Sequence, residues 1–245
     1  MCVFATFLAS CVSSVNNERR AGFYLQIGLD NLNQKNYPEA LTHLAEADKL
    51  SPNNPVILNA LGSFYLAHRK YATAIDFTRR ALQINPNFTE ARNNLSRIYI
   101  AQGHYDRAIV ETKRALKDLT YPYPERVQTN LGLALLRKNQ YPKAKAQLQS
   151  ALKTNKDYCP AYSYYGQTLM KLKQYEDANA IFDRGIKVCQ DSPEEVHYLS
   201  ALSYYQNGKK EMALVRFREV TKLYPTSEYA EKSRSLLKVI QQEQP

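Results

Sequence analysis

Six small residues recur along the chain at intervals of 34, 34, 36, 34 and 35: Gly28, Gly62, Ser96, Gly132, Gly166 and Ala201. No other feature constrains the fold as strongly, because a repeated unit of this length is one supersecondary motif that buries its apolar face only against its neighbours. Twelve residues beyond each stands an alanine: Ala40, Ala74, Ala108, Ala144, Ala178 and Ala213. Two antiparallel helices cross closely only where small side chains let the backbones approach, so the spacing predicts a helical hairpin in every repeat. Tyr37, Tyr71, Tyr105, Tyr141 and Tyr175 open the second helices, with Lys210 in the last. Ala47, Ala81, Ala115 and Ala151 form a further small site, replaced by Gly185 and Val220 at the end of the series. Pro52, Pro86 and Pro225 close second helices, since proline lacks the donor and bars the residue before it from helical geometry.

Together these positions resemble the tetratricopeptide repeat. The resemblance covers residues 21–226 and implies an all-α fold, a right-handed α-solenoid of six repeats. Residues 227–245 then supply a capping helix and tail, with Tyr229, Leu236, Leu237 and Ile240 on one side of a helix over 228–242. The last repeat has an apolar face with no neighbour beyond it, and an amphipathic helix covers such a face.

With 44% hydrophobic residues the chain can bury a continuous core. Its net charge of +10 is carried by Lys and Arg spread along the whole length, which reads as solvated surface rather than the clustered footprint of a nucleic-acid binder. Enzyme chemistry finds little support. Of eight glycines, four sit at the helix-crossing site and Gly103 and Gly208 lie in turns, which leaves no glycine-rich phosphate loop. His43, His68, His104 and His197 fall at four different repeat positions without metal-ligand spacing. No local signature marks a Ser-His-Asp arrangement. The expectation is no catalytic residue, no metal, no cofactor and no small-molecule substrate.

The amino terminus differs from everything after it. Residues 1–10 carry no charge, and the apolar run from Cys2 to Leu8 is too short to span a bilayer as a helix. It ends in Leu8-Ala9-Ser10-Cys11, which resembles a bacterial lipobox, where the cysteine thiol is lipidated before cleavage. That resemblance implies a truncated lipoprotein signal segment over 1–10, without the basic stretch that usually opens one, then lipidation at Cys11 and a lipid-anchored linker over 11–20. Several acyl chains on one residue make a stable anchor. Val12 follows the cysteine where Asp would retain it, which in the lipoprotein pattern implies the outer membrane and its periplasmic face. A plain apolar terminus is the alternative.

Loss of Cys2 with the leader and acylation of Cys11 would leave Cys159 and Cys189, at repeat positions 1 and 31 of the fifth repeat. Antiparallel helices bring those two ends to the same side, so a disulfide is geometrically open to them in an oxidising periplasm. Two free thiols in a cytosolic chain are the other reading.

In tetratricopeptide repeats the first helix of each hairpin lines the concave groove. Mapping the usual groove positions 2, 5, 6, 9, 12 and 13 onto this chain gives Asn59, Ser63, Asn93, Asn94, Arg97, Arg126, Thr129, Asn130 and Arg137 in the central repeats, and Tyr164, Gln167, Met170, Tyr198, Leu202 and Tyr205 in the later ones. Asn offers both donors and acceptors to an extended backbone, Arg offers charge-assisted bonds to carboxylates, and Tyr offers adaptable contact area. Each residue taken alone reads equally as an ordinary solvated helix face. Leu25, Leu29 and Leu32 of the first repeat would add an apolar entry to the same surface.

One segment interrupts the register: Leu119-Thr120-Tyr121-Pro122-Tyr123-Pro124-Glu125-Arg126, two residues longer than a standard junction. With Asn130-Leu131-Gly132-Leu133 after it, with Leu223-Tyr224-Pro225-Thr226-Ser227 near the end, and with Cys159 and Cys189, it resembles the type IV pilus biogenesis lipoproteins of the PilF/PilW/Tgl pilotin group. The resemblance implies an outer-membrane lipoprotein that binds the secretin subunit of the pilus machine and promotes its membrane insertion and multimer assembly. Two other classes stay open: a cytosolic co-chaperone-like scaffold, and an accessory lipoprotein of envelope enzymes.

Overall fold

The computed structural model describes residues 3–189 and 193–242, and among these it is all-helical. The chain divides into two compact units, Met1–Thr120 and Tyr121–Pro245. The first holds α1 (Val3–Asn33), α2 (Tyr37–Leu50), α3 (Pro55–Ala67), α4 (Tyr71–Ile84), α5 (Thr89–Ala101) and α6 (Tyr105–Ala115). In the second are α7 (Pro124–Arg137), α8 (Tyr141–Thr154), α9 (Cys159–Lys171), α10 (Tyr175–Val188), α11 (Glu194–Gln206), α12 (Lys210–Leu223) and α13 (Glu228–Gln242). Consecutive helices pair as hairpins, each second helix packs on the first helix of the next hairpin within its unit, and α13 packs on α12. This is the tetratricopeptide solenoid fold, and every second helix starts at its expected Tyr or Lys210.

The turns inside the hairpins share one construction. Residues Lys35, Arg69, Gly103, Asn139, Lys173 and Gly208, all at repeat position 15, have left-handed backbone with φ between 57° and 78°. The next residue's N–H then reaches back five residues, as in Lys70 to the Tyr65 carbonyl (2.9 Å) and Gln174 to the Leu169 carbonyl (2.9 Å). These are Schellman caps, which satisfy carbonyls the helix end would leave unpaired. Pro38, Pro55, Pro124, Pro142 and Pro160 sit in first turns, where a missing N–H costs nothing.

Packing inside the hairpins refines the sequence reading. The alanines at repeat position 20 are fully buried, yet the small residue at position 8 faces position 24, one helical turn further on. A methyl at Gly28 would lie 2.8 Å from Leu44, and one at Gly132 2.5 Å from Leu148 Cγ; one at Gly166 would run into the Phe182 ring. Gly185 faces Tyr162 in the same manner, with 2.8 Å to its Cβ. The glycine at the third small site therefore makes room for a buried tyrosine, whose hydroxyl donates to the Lys156 carbonyl (2.8 Å).

Three segments depart from expectation. Residues 11–20, read as a linker, continue α1, which runs for 31 residues where the other first helices have 13 or 14. Nothing between Cys11 and Arg20 breaks a helix, and once a packed segment nucleates it each added residue gains a hydrogen bond. Among the described residues no helix is long and apolar enough to cross a membrane. At the long junction, α6 ends after 11 residues while the other second helices run for 14, and the boundary between the compact units follows at Thr120 and Tyr121. Leu25, Leu29 and Leu32, expected as an open apolar entry, are half-buried and pack against the first unit's core.

Candidate protein-binding grooves

In the first unit the groove positions fall into two sets. Asn59, Asn93 and Asn94 are buried, which corrects their expected place on an open surface. Asn94 Nδ2 donates to Asn59 Oδ1 (2.9 Å) and to Ser63 Oγ (3.0 Å), joining α5 to α3. The physical reason is the stacking of first helices: repeat position 6 points at positions 5 and 9 of the preceding repeat, and an amide there satisfies two partners out of water. Arg97 at position 9 is exposed and donates to Asn94 Oδ1 (3.1 Å), so the buried network holds the one cation of this set that a partner can reach.

The second unit builds its surface from α7, α9 and α11. Arg126 lies over the Tyr123 ring, 4.3 Å from its centroid, and Asn130 is half-buried. Gln167 donates to Ser163 Oγ (3.1 Å) and lines a groove of about 660 Å³ with Met170, Lys171, Leu199 and Leu202. Tyr164 faces a different hollow of about 360 Å³ beside Cys159, Cys189 and Val196. Tyr198 packs on Phe217 and on Tyr229 of α13, with ring centroids 5.9 and 5.3 Å away, and Tyr205 packs on the same cluster. Tyr198 thus helps to seat the capping helix, and both tyrosines are half-buried. Arg137, Lys173 and Leu136 also line the 660 Å³ groove, with Asn139, Tyr175 and Gln206. Lys171 stands at position 13, where the repeat register could have supplied it; Lys173 lies in the turn, outside the helical pattern.

Behind this surface, α10 presents Asp183 to α11 and α12. Tyr204 donates to it at 2.6 Å, Ser200 at 3.3 Å and Arg216 at 2.7 Å, while Arg216 also bonds Glu219 at 2.9 Å. Burial, then the bond to Asp183, pushes the Tyr204 hydroxyl up to about 12. Burial lowers the nearby His197 imidazole, whose ring meets Tyr224 at 5.5 Å. His43 stacks on Tyr24 at 5.8 Å, and His68 meets Tyr37 and Phe64 at 4.6 Å, so these histidines pack on aromatic rings. The hydroxyl and the guanidinium both donate to the one carboxylate, an arrangement suited to fixing helix positions.

Cys159 and Cys189 are joined as a disulfide with Cα atoms 5.8 Å apart, tying the start of α9 to the C-cap of α10. Cys11 lies in α1, and its side chain falls outside the described residues. Chemically, then, the surface offers grooves with cationic and amide donors over apolar floors, suited to holding a polypeptide segment.

Sequence comparison matches one tetratricopeptide repeat model to residues 65–120 and 135–203, a second to 25–88 and a third to 195–227. No curated protein matches the chain. Among solved structures it is similar to PilW, a widely conserved type IV pilus biogenesis factor, at 21% identity and a TM-score of 0.79, covering 86% of this chain and 97% of that one. It is similar to PilF of Pseudomonas aeruginosa at 21% identity and a TM-score of 0.76, covering 90% and 99%. Cut9 with Hcn1, from the APC/C, gives 18% identity and a TM-score of 0.79, covering 90% of this chain and 43% of that one. At these identities the likeness is one of fold.

Proposed function

The chain belongs to the tetratricopeptide repeat family, a protein-binding scaffold, and from that premise we propose that it is a pilotin: an outer-membrane lipoprotein, anchored through Cys11 and facing the periplasm, that binds the secretin subunit of a type IV pilus machine and promotes its membrane insertion and multimer assembly. The observation that carries this reading is the extent of the match to PilW and PilF, which spans at least 86% of this chain and 97% of theirs. Cut9 superposes with a similar TM-score but only over 43% of its length, so it shares the repeat without the size of the array. The Leu8-Ala9-Ser10-Cys11 motif and the Tyr121 to Arg126 junction support the same assignment from independent parts of the sequence.

The function needs binding without covalent chemistry. A lipid at one end and repeats at the other would hold a subunit beside the membrane, raising its local concentration there. Deleting the gene in its native host removes heat-stable secretin multimers from the membrane fraction, and Cys11→Ala moves the protein out of that fraction with loss of the same multimers. Undiminished multimers in the deletion strain would sink the reading.

A further inference from the structure

Positive charge is concentrated where the second unit opens its groove. Residues 126–173 hold nine Lys or Arg and one acid, Asp157, a net +8 in a chain whose total is +10. Three of these cations, Arg137, Lys171 and Lys173, sit on the rim of the 660 Å³ groove, above a floor that includes Leu136, Met170, Leu199 and Leu202. All three are exposed, and among the described residues none pairs with a carboxylate. Glu176, at the start of α10, is already held by Lys209 (2.7 Å) and Asn207 (2.7 Å).

The rim is also fixed in place. Arg137 and Lys171 occupy repeat position 13 in consecutive repeats, on the packed helices α7 and α9, and so form a row. Lys173 projects from a left-handed turn residue (φ 59°) braced by the Gln174 to Leu169 bond. Like charges held together in a row repel unless an anion joins them, and an apolar floor in water favours an occupant that covers it.

We propose that this groove takes an acidic, amphipathic segment of the protein partner, its apolar side chains on the Leu and Met floor and its carboxylates on Arg137, Lys171 and Lys173. The proposal rests on the reading of the chain as a protein-binding scaffold and names the chemistry that one groove selects. An anionic membrane surface would meet the cations but, being flat, could not fill the concavity beneath them.

Fluorescence anisotropy of the full chain with a labelled peptide alternating leucine and glutamate tests it, alongside glutamine and lysine counterparts and phosphatidylglycerol vesicles. The glutamate peptide binds with an affinity that falls as salt rises, the glutamine peptide binds about tenfold more weakly, and the lysine peptide does not bind. The triple variant R137E/K171E/K173E loses the preference for glutamate while keeping its thermal melt, since all three side chains are exposed. Equal binding of the glutamate and glutamine peptides, or a preference retained in the variant, overturns the proposal. So does vesicle binding through these residues with no peptide binding. Multimer assembly in cells is scored separately, so a failure of the secretin reading and a failure of this groove give different results.

Discussion

Position 24 of each repeat sets how closely its two helices pack. Leu44, Thr78, Thr112, Leu148, Phe182 and Phe217 occupy it in turn, and all are fully buried. Where the side chain is large and position 8 is glycine, the ring or branch fills the space a Cβ would take. Gly166→Ala makes the strongest test, because helix propensity alone favours alanine by about 1 kcal/mol. The methyl meets the Phe182 ring, and overpacking a close-packed core costs about 1–3 kcal/mol. Urea denaturation should show Gly166→Ala less stable than the parent by about 1 kcal/mol, with Phe182→Leu in the same chain restoring part of the loss. The small residue at position 8 was plain in the sequence; its partner was not, because position 24 ranges from Thr to Phe and offers no recurring type to notice. Asn59, Asn93 and Asn94 were misread for a related reason: an amide looks the same in sequence whether it faces water or a neighbouring helix.

At the scale of elements, boundaries were legible wherever a residue type carries a backbone requirement. The tyrosines and Lys210 open second helices, the prolines fall in first turns or after helix ends, and Gly103 and Gly208 take the left-handed turn. Lys35, Arg69, Asn139 and Lys173 take the same turn without advertising it, since the cap and the hairpin impose the conformation. The continuation of α1 through 11–20 was hidden because a polar, uncapped stretch reads as a tether until a packed helix extends into it. Cys159 and Cys189 close a loop with a sequence separation of 30. Loop-closure entropy assigns such a link about 3.6 kcal/mol. Cys159→Ser should lower the free energy of unfolding of the second unit by about that amount, reductant should do the same to the parent, and reductant should leave the variant unchanged; chemical denaturation with and without dithiothreitol reads all three.

For the whole molecule, the number and type of repeats were legible because periodicity is a property of sequence itself. Which groove residues face water was less so, because exposure depends on how first helices stack and on what the capping helix covers. Tyr198, expected to meet a partner, also packs on α13, while the cations around Lys171 line the open groove. The proposal that the array holds a secretin subunit is tested most directly by photocrosslinking in native membranes. A photoreactive residue replacing Gln167, which lines the groove, should yield a crosslinked band containing secretin, and one replacing exposed Lys49 on α2 should not. A band without secretin at Gln167, or equal secretin crosslinking from both positions, would contradict the account.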